Sequence, residues 1–60
     1  GVATMDKLKL KDRVCLVADN SRLGMIVQSL GRDKFKVLWD RDWETGRTYV
    51  YGIRQIQKAS

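Results

Sequence analysis

Phe35 to Ile56 decides the fold of this chain, and it reads FKVLWDRDWETGRTYVYGIRQI. Two runs rich in β-branched and aromatic residues, Phe35 to Asp40 and Arg47 to Tyr51, flank a polar loop that closes on Thr45-Gly46. Such runs on both sides of a turn are typical of a β-hairpin. A short 3-10 turn is predicted at Gly52 to Gln55, before one more strand. In a small chain this pattern predicts a strongly bent antiparallel barrel.

The other strands follow from alternating apolar residues and turn residues. Leu8 and Leu10 alternate with lysines and lead into Val14 to Ala18 in the first strand candidate, and the Asx-rich cluster that follows is a turn. Leu23 to Leu30 is the second strand, and the glycine-containing segment after it has the length of a hairpin turn. Ile56 to Lys58 completes five strands. Gly24 suits a position where the strand bends or another backbone comes close.

A thin core is expected, because a domain of this size buries only about 60% of the surface of its unfolded chain. Alternation places Phe35, Val37 and Trp39 on one face of the third strand. Cys15, the one cysteine, lies in an apolar run and is interpreted as a small buried residue. The residues predicted to be mostly buried are Val14, Leu16, Ile26, Val37, Trp39, Val50, Ile53 and Ile56.

Sixty residues are enough for one domain, which we assign to residues 11–58. Residues 1–10 are an N-terminal extension and 59–60 a tail. Residues 1–4 fit a cloning remnant ahead of Met5, although a fragment of a larger protein would look the same. No apolar run resembles a signal peptide or spans a bilayer. We therefore expect an intracellular protein, cytoplasmic or nuclear and not secreted.

Twelve Lys and Arg against seven Asp and Glu give a net charge of +5. Alternation predicts that Lys7, Lys9, Lys11 and Arg13 project from one face of the first strand. Lys34 and Lys36 alternate in the same way in the third strand. This charge fits either an ordinary solvated outer face or a basic surface for a polyanion.

Enzyme chemistry finds little support. The chain has no histidine, and a single cysteine without a histidine partner is a poor nucleophile. The Cys and His sets that bind zinc are absent from the sequence, so we expect no metal and no cofactor. Asp40, Asp42 and Glu44 alternate in a loop without EF-hand spacing, and we interpret them as a solvated acidic turn.

The order of these residues resembles the SH3-like small β-barrels, in particular the Tudor and KOW branches. The resemblance covers residues 11–58 and rests on Arg13-Val14, Gly24-x-Ile26, Val37-x-Trp39-Asp40, Tyr49-Val50 and Ile56. Residues 37–56 are also similar to the Tudor-like CPH domain of large ubiquitin ligases. The resemblance implies an SH3-like, five-stranded antiparallel barrel that binds a partner.

Tudor domains that read methylated lysine or arginine use a cage of about four aromatic side chains, held by cation–π attraction. The third and fourth strands offer Trp39, Tyr49 and Tyr51 for such a cage. The first loop, Ala18 to Leu23, contains no aromatic residue. The resemblance therefore supplies only half a cage, and Trp39 is interpreted mainly as a core residue.

Trp43 leaves two interpretations open. It lies in a loop between Asp42 and Glu44, where no packing period requires an indole. An exposed indole there would anchor a partner, and the acids would favour a basic peptide over phosphate. Alternatively, the indole folds back as a lid over the barrel end. Tyr49 and Tyr51 share one face of the fourth strand, and both face outward if Val50 points inward.

The composition and the resemblance leave two hypotheses for the function. The first is a non-enzymatic module that binds DNA or RNA weakly, through a basic surface and exposed aromatic side chains. The second is a module that binds a protein or peptide through the same aromatic residues or an exposed edge strand. Neither involves a membrane or a small-molecule substrate. The candidate binding residues are Lys9, Lys11, Arg22, Arg32, Lys34, Lys36, Trp43, Arg47, Tyr49 and Tyr51.

Overall fold

Five antiparallel strands and one short 3-10 helix make up the fold. The computed structural model describes residues 8–59, so the predictions made for residues 1–7, including Lys7, and for Ser60 lie outside it. None of the helical structure in this range is long and apolar enough to cross a membrane. The elements are β1 (Arg13–Leu16), β2 (Leu23–Ser29), β3 (Lys34–Trp39), the 3-10 helix (Asp40–Asp42), β4 (Thr48–Gly52) and β5 (Ile56–Lys58). The all-β, five-stranded prediction is confirmed.

The strands form a single sheet in the order β4-β3-β2-β1-β5, and every neighbouring pair is antiparallel. In a flat sheet, strands about 4.8 Å apart would hold the two outer strands roughly 19 Å from each other. Only three residues, Ile53 to Gln55, join the outer strands β4 and β5. Four Cα steps reach at most about 15 Å, so the sheet must coil. It does not close, since β4 and β5 remain unpaired edges of the described sheet.

The turn between β4 and β5 carries the hydrogen bond expected of a 3-10 turn. The Gln55 amide N–H donates to the Gly52 carbonyl at 2.9 Å, and the Gly52 N–H donates to the Gln55 side-chain oxygen Oε1 at 2.8 Å. The 3-10 helix itself lies elsewhere, directly after β3. There the Trp43 N–H donates to the Asp40 carbonyl at 3.2 Å.

The segment before β1 differs from its prediction. Residues 8–12 are not a strand, and Lys11 has a positive φ of 72° within a turn. The Lys11 N–H donates to the Ile26 carbonyl at 2.8 Å, and the Ile26 N–H donates to the Asp12 carbonyl at 3.0 Å. The predicted alternation of Lys9 and Lys11 with Arg13 along one strand is therefore wrong. A register shift between Ile26 and Gln28 bends β2 beside this segment.

The core lies on one face of the coiled sheet. Six side chains, each at most 3% exposed, form it: Val14, Ile26, Phe35, Val37, Trp39 and Ile56. Leu8, Leu16 and Tyr51 are half-buried against this cluster. Cys15 is also buried, and its thiol is free. The inward face predicted for β3 is confirmed, as is the burial predicted for Val14, Ile26 and Ile56.

Two predicted core residues are exposed instead, Val50 at 52% and Ile53 at 43%. The reason is the register of β4. Tyr51 pairs with Phe35 and Tyr49 with Val37, so the tyrosines share the face of the core. Val50 pairs with Lys36 on the other face. The prediction that Val50 points inward and both tyrosines outward is therefore wrong.

Gly24 allows β2 and β3 to come close. Val14 and Trp39 are its cross-strand neighbours. A Cβ at Gly24 would lie 2.6 Å from Cε3 of Trp39 and 2.8 Å from the Leu38 carbonyl oxygen. The largest core side chain thus fills the space that any other residue at position 24 would need.

Candidate functional site

Three basic residues lie in or beside two turns that contact each other through the backbone. The loop between β2 and β3 carries Arg32, β3 begins at Lys34, and the turn between β4 and β5 carries Arg54. The Ile53 N–H donates to the Asp33 carbonyl at 2.7 Å and so joins the two turns. Lys34 and Arg54 line one shallow depression of about 440 Å³. We call Arg32, Lys34, Lys36 and Arg54 the basic surface, since Lys36 follows on the same face of β3.

The turn geometry fixes the backbone of this surface. Gly31 has a φ of 95°, a left-handed conformation that glycine adopts without strain. The Leu30 N–H donates to the Lys34 carbonyl at 2.8 Å and closes the hairpin. The side chains of Arg32, Lys34 and Arg54 are exposed. Their positions are therefore set by ordered turns, while their charged ends remain in solvent.

The charges of the basic surface have no partner among the described residues. Within residues 8–59, the ion pairs are Arg13 with Asp40, Arg41 with Asp42 and Lys58 with Asp12. None of them involves the basic surface, whose one acidic neighbour in sequence is Asp33. Asp40, Asp42 and Glu44 lie at the other ends of β3 and β4. The excess positive charge is thus unevenly spread and concentrates around the two joined turns.

The loop between the 3-10 helix and β4 holds Trp43 out in solvent, with 72% of its surface exposed. The loop is ordered by its own hydrogen bonds. The Gly46 N–H donates to the Asp42 carbonyl at 2.8 Å, and the Thr45 hydroxyl donates to the same carbonyl at 3.1 Å. The Arg47 N–H donates to the Thr45 hydroxyl at 3.3 Å. The lid interpretation of Trp43 is wrong, because an indole that covered the barrel end would be largely buried and this one is 72% exposed.

Two of the three acids around Trp43 have an arginine neighbour. Arg13 donates two hydrogen bonds to the Asp40 carboxylate, at 2.9 and 2.7 Å. These bonds lower the pKa of Asp40 and raise that of Arg13. Asp42 has a side chain only 19% exposed, with Arg41 Nε 3.9 Å from its Oδ2. Of the three loop acids, Glu44 alone has no hydrogen bond or ion pair from the described side chains.

The two tyrosines of β4 separate in role. Trp39 donates from its indole Nε1 to the Tyr51 hydroxyl at 3.0 Å, so Tyr51 belongs to the core and not to a binding surface. Tyr49 is 36% exposed. Its hydroxyl lies beside Arg47, and this contact raises the pKa of the guanidinium. Of the predicted aromatic contacts, Trp43 and Tyr49 are accessible.

No aromatic cage forms at the position that the Tudor resemblance implies. A depression of about 330 Å³ lies between the loop after β1 and the 3-10 helix. It is lined by Asp19, Ser21, Arg22, Leu23, Trp39, Asp40 and Arg41. Trp39 is the one aromatic residue among them, and it is 1% exposed. Ser21 donates from its hydroxyl and its amide to Asp19 and lowers the pKa of that carboxyl.

The remaining predicted residues fall into two groups. Lys9 follows Leu8, which shares a depression of about 550 Å³ with Arg32, and Lys11 is exposed beside β2. Arg22 and Arg47 lie near the Trp43 loop, with Arg22 lining the depression after β1. The predicted set is therefore not one surface. Arg54 was missing from it. The sequence places Arg54 in the predicted turn before β5, but the contact of that turn with the hairpin before β3 is tertiary.

Neither metal chemistry nor a known relative guides the assignment further. In the part of the chain that the structure describes, no three His, Cys, Asp or Glu side chains gather as metal ligands. Comparison of the chain with protein-family models, curated proteins and solved structures finds no match. The function must therefore be argued from the arrangement of charge, exposed aromatic residues and strand edges.

Proposed function

We propose that this domain is a non-enzymatic module that binds nucleic acid through phosphate contacts at the basic surface. The observation that carries the proposal is the convergence of Arg32, Lys34 and Arg54 on two joined turns, with no ion pair to residues 8–59. Exposed cations release the counterions of a phosphate backbone on binding, and this release drives association. Such contacts position a nucleic acid without reading its sequence.

The size of the surface limits the affinity. About three to five phosphates can be contacted by a domain with so few cations on one side, so we expect micromolar or weaker binding at physiological salt. The proposed family is the Tudor or KOW type of SH3-like barrel. The coiled sheet and its strand order support this proposal. An intracellular location, cytoplasmic or nuclear, is part of the same proposal.

Two matched charge reversals test the proposed surface. Arg54→Glu and Lys58→Glu change the net charge equally, but only Arg54 belongs to the basic surface. Fluorescence anisotropy with a labelled oligonucleotide at low salt should show several-fold weaker binding for Arg54→Glu and little change for Lys58→Glu. Melting temperatures check that both variants fold, since Lys58 lies 3.9 Å from Asp12. Equal losses would mean that net charge alone attracts the oligonucleotide and that the surface is misplaced.

A second candidate function, peptide binding by strand addition, is favoured by the open edge of β4. The Ile53 N–H donates to the Asp33 carbonyl, and Lys34 pairs with Gly52 one step along. Hydrogen-bonded and non-bonded pairs alternate in an antiparallel ladder. Because the Asp33–Ile53 pair is hydrogen-bonded, the Lys34–Gly52 pair is not. The Lys36–Val50 pair, two residues further along β4, is likewise not hydrogen-bonded. The N–H and C=O of Val50 therefore point to the open edge, where an extended peptide could pair.

Hydrogen exchange tests this second candidate. The Val50 amide should exchange faster than the Tyr51 amide, which points toward β3. Under the peptide hypothesis, adding an extended partner peptide slows exchange at Val50 specifically. If an oligonucleotide binds and no extended peptide protects Val50, the strand-addition hypothesis is rejected and the nucleic-acid proposal stands.

A further inference from the structure

Trp43 has the largest exposed fraction of the bulky apolar side chains in residues 8–59. Exposing 72% of an indole leaves most of its apolar surface in water, which is unfavourable. The loop that carries it is held by four hydrogen bonds of its own, from Trp43, Thr45, Gly46 and Arg47. An ordered loop that displays a bare indole is a preorganised contact point.

The charges around the indole balance one another, so the loop does not repel an anionic partner. Asp40 receives paired hydrogen bonds from Arg13, and Asp42 has Arg41 Nε 3.9 Å from its Oδ2, which accepts no hydrogen bond. Arg41 is 62% exposed, and Arg47 is also exposed. With Glu44 as the one acid left without a described partner, the loop is not the acidic tip that its sequence suggests. The three acids of the loop thus stand against three guanidinium groups, those of Arg13, Arg41 and Arg47, so a basic peptide finds no excess of negative charge here.

We propose that Trp43 is a stacking platform for an unpaired base, so that the domain prefers single-stranded nucleic acid to duplex. This inference rests on the proposed function and deepens it. Every base offers a π-face, so an exposed indole binds single strands with little sequence preference. In a duplex the faces of the bases are already stacked inside the helix, and the indole cannot reach them without unstacking a base.

The path between the platform and the basic surface supports the same partner. β4 begins directly after Arg47 and ends at Gly52, two residues before Arg54. A five-residue strand is about 17 Å long, a span that a few nucleotides can cover. Val50 lies along this strand, 52% exposed and opposite Lys36 of the basic surface. A single strand following β4 would meet an indole at one end and the basic surface at the other.

The test compares oligonucleotides of equal length in single-stranded and duplex form. We expect the wild-type domain to bind a 12-mer of thymidines more tightly than a 12-base-pair duplex at the same salt. Trp43→Ala should weaken single-strand binding about 5- to 150-fold, the range that loss of one stacked base implies. It should leave duplex binding nearly unchanged. Trp43→Phe should keep part of the preference, since a smaller ring still stacks.

Val17→Ala is the control, because Val17 is an apolar side chain 54% exposed that lies outside both β4 and the basic surface, and it should leave single-strand binding unchanged. Unchanged melting temperatures are expected for all three variants. Two results overturn the platform: Trp43→Ala leaves single-strand binding unaltered, or the wild-type domain binds single strand and duplex with equal affinity. In either case the proposed function survives if Arg54→Glu still weakens binding. Absence of any nucleic-acid binding at low salt overturns both. Binding of a lysine-rich peptide that Trp43→Ala abolishes, without single-strand binding, assigns the indole to a protein partner and also overturns the inference.

Discussion

The indole Nε1 of Trp39 donates a hydrogen bond to the hydroxyl oxygen of Tyr51 at 3.0 Å, and the two rings meet edge to face with centroids 5.5 Å apart. Edge-to-face geometry places the positive rim of one ring against the negative face of the other. The hydroxyl of a residue on the edge strand β4 thereby satisfies the one polar atom of the largest core side chain. This contact ties the edge of the sheet to its centre.

Tyr51→Phe should destabilise the domain by about 1–3 kcal/mol, because a buried donor without a partner bears its full desolvation cost. Trp39 is 1% exposed, so water does not replace the lost hydroxyl. Urea denaturation measures the difference. Tyr49→Phe is the control, since its ring is partly exposed and its loss of a hydroxyl should cost no more than about 0.5 kcal/mol. Equal costs for the two variants would contradict the assigned hydrogen bond.

Gly24→Ala should destabilise the domain by about 1–3 kcal/mol or more, because the added methyl group collides with the Trp39 ring and the Leu38 carbonyl. Gly52→Ala provides the comparison. At Gly52 a Cβ would meet the Gln55 side-chain oxygen at 3.5 Å, an ordinary contact. That variant should be neutral or gain up to about 1 kcal/mol through reduced entropy of the unfolded chain. Thermal melts of both variants measure the difference, and an equal melting temperature for the two would contradict the close approach at Gly24.

Local patterns were enough to predict most of the fold. Alternating β-branched and aromatic residues located all five strands, and the inward face of β3 followed from Phe35, Val37 and Trp39. Glycine marked two features correctly, the close approach at Gly24 and the hairpin turn at Gly31. These features depend on neighbours in sequence and on steric rules, which a single chain displays directly.

The faces of β4 could not be chosen in this way, because this strand has apolar or aromatic residues on both sides. The choice depends on the register with β3, which brings Tyr51 opposite Phe35, and on the need of Trp39 for an acceptor. Convergence of Arg32 and Arg54 likewise depends on the bond between Ile53 and Asp33, a tertiary contact. The positive φ of Lys11 had no signal in its residue type.

The register of β4 is tested by a pair of valine truncations. Val37→Ala removes a fully buried side chain and should cost about 1–4 kcal/mol through lost burial and a residual cavity. Val50→Ala removes an equal volume from a side chain that is 52% exposed, and should cost less than about 1 kcal/mol. Chemical denaturation gives both values. A larger loss at Val50 than at Val37 would mean that β4 is turned over.

The ion pair between Arg13 and Asp40 predicts a specific pH dependence. Its hydrogen bonds lower the pKa of Asp40 in the folded state. The stabilisation is therefore fully present above the unfolded-state pKa of about 3.9 and is lost as the pH falls through the lower folded-state pKa. Both side chains are about half exposed, at 50% and 54%, so solvent screening limits the contribution to about 1 kcal/mol or less.

Asp40→Asn should accordingly be less stable than wild type at pH 7 and low salt, with a gap that shrinks below pH 4 and closes near pH 2. Added salt should narrow the gap at pH 7, because exposed charges are screened. Urea denaturation across this pH range measures it. A gap that persists unchanged at pH 2 would show that the amide disrupts the geometry of the 3-10 helix and that charge is not the cause.

The salt dependence of binding tests the proposed function at its physical root. With three to five phosphate contacts, the slope of log affinity against log salt should be about −2 to −3.5 for a single strand. Lys34→Glu combined with Lys36→Glu should remove about two contacts, reduce the slope by roughly 1.4 and weaken binding to all sequences alike. Lys58→Glu should leave the slope nearly unaltered. Affinity that does not depend on salt would mean that phosphate contacts do not drive the binding. A slope that the double reversal leaves unchanged would place the phosphate contacts on other residues.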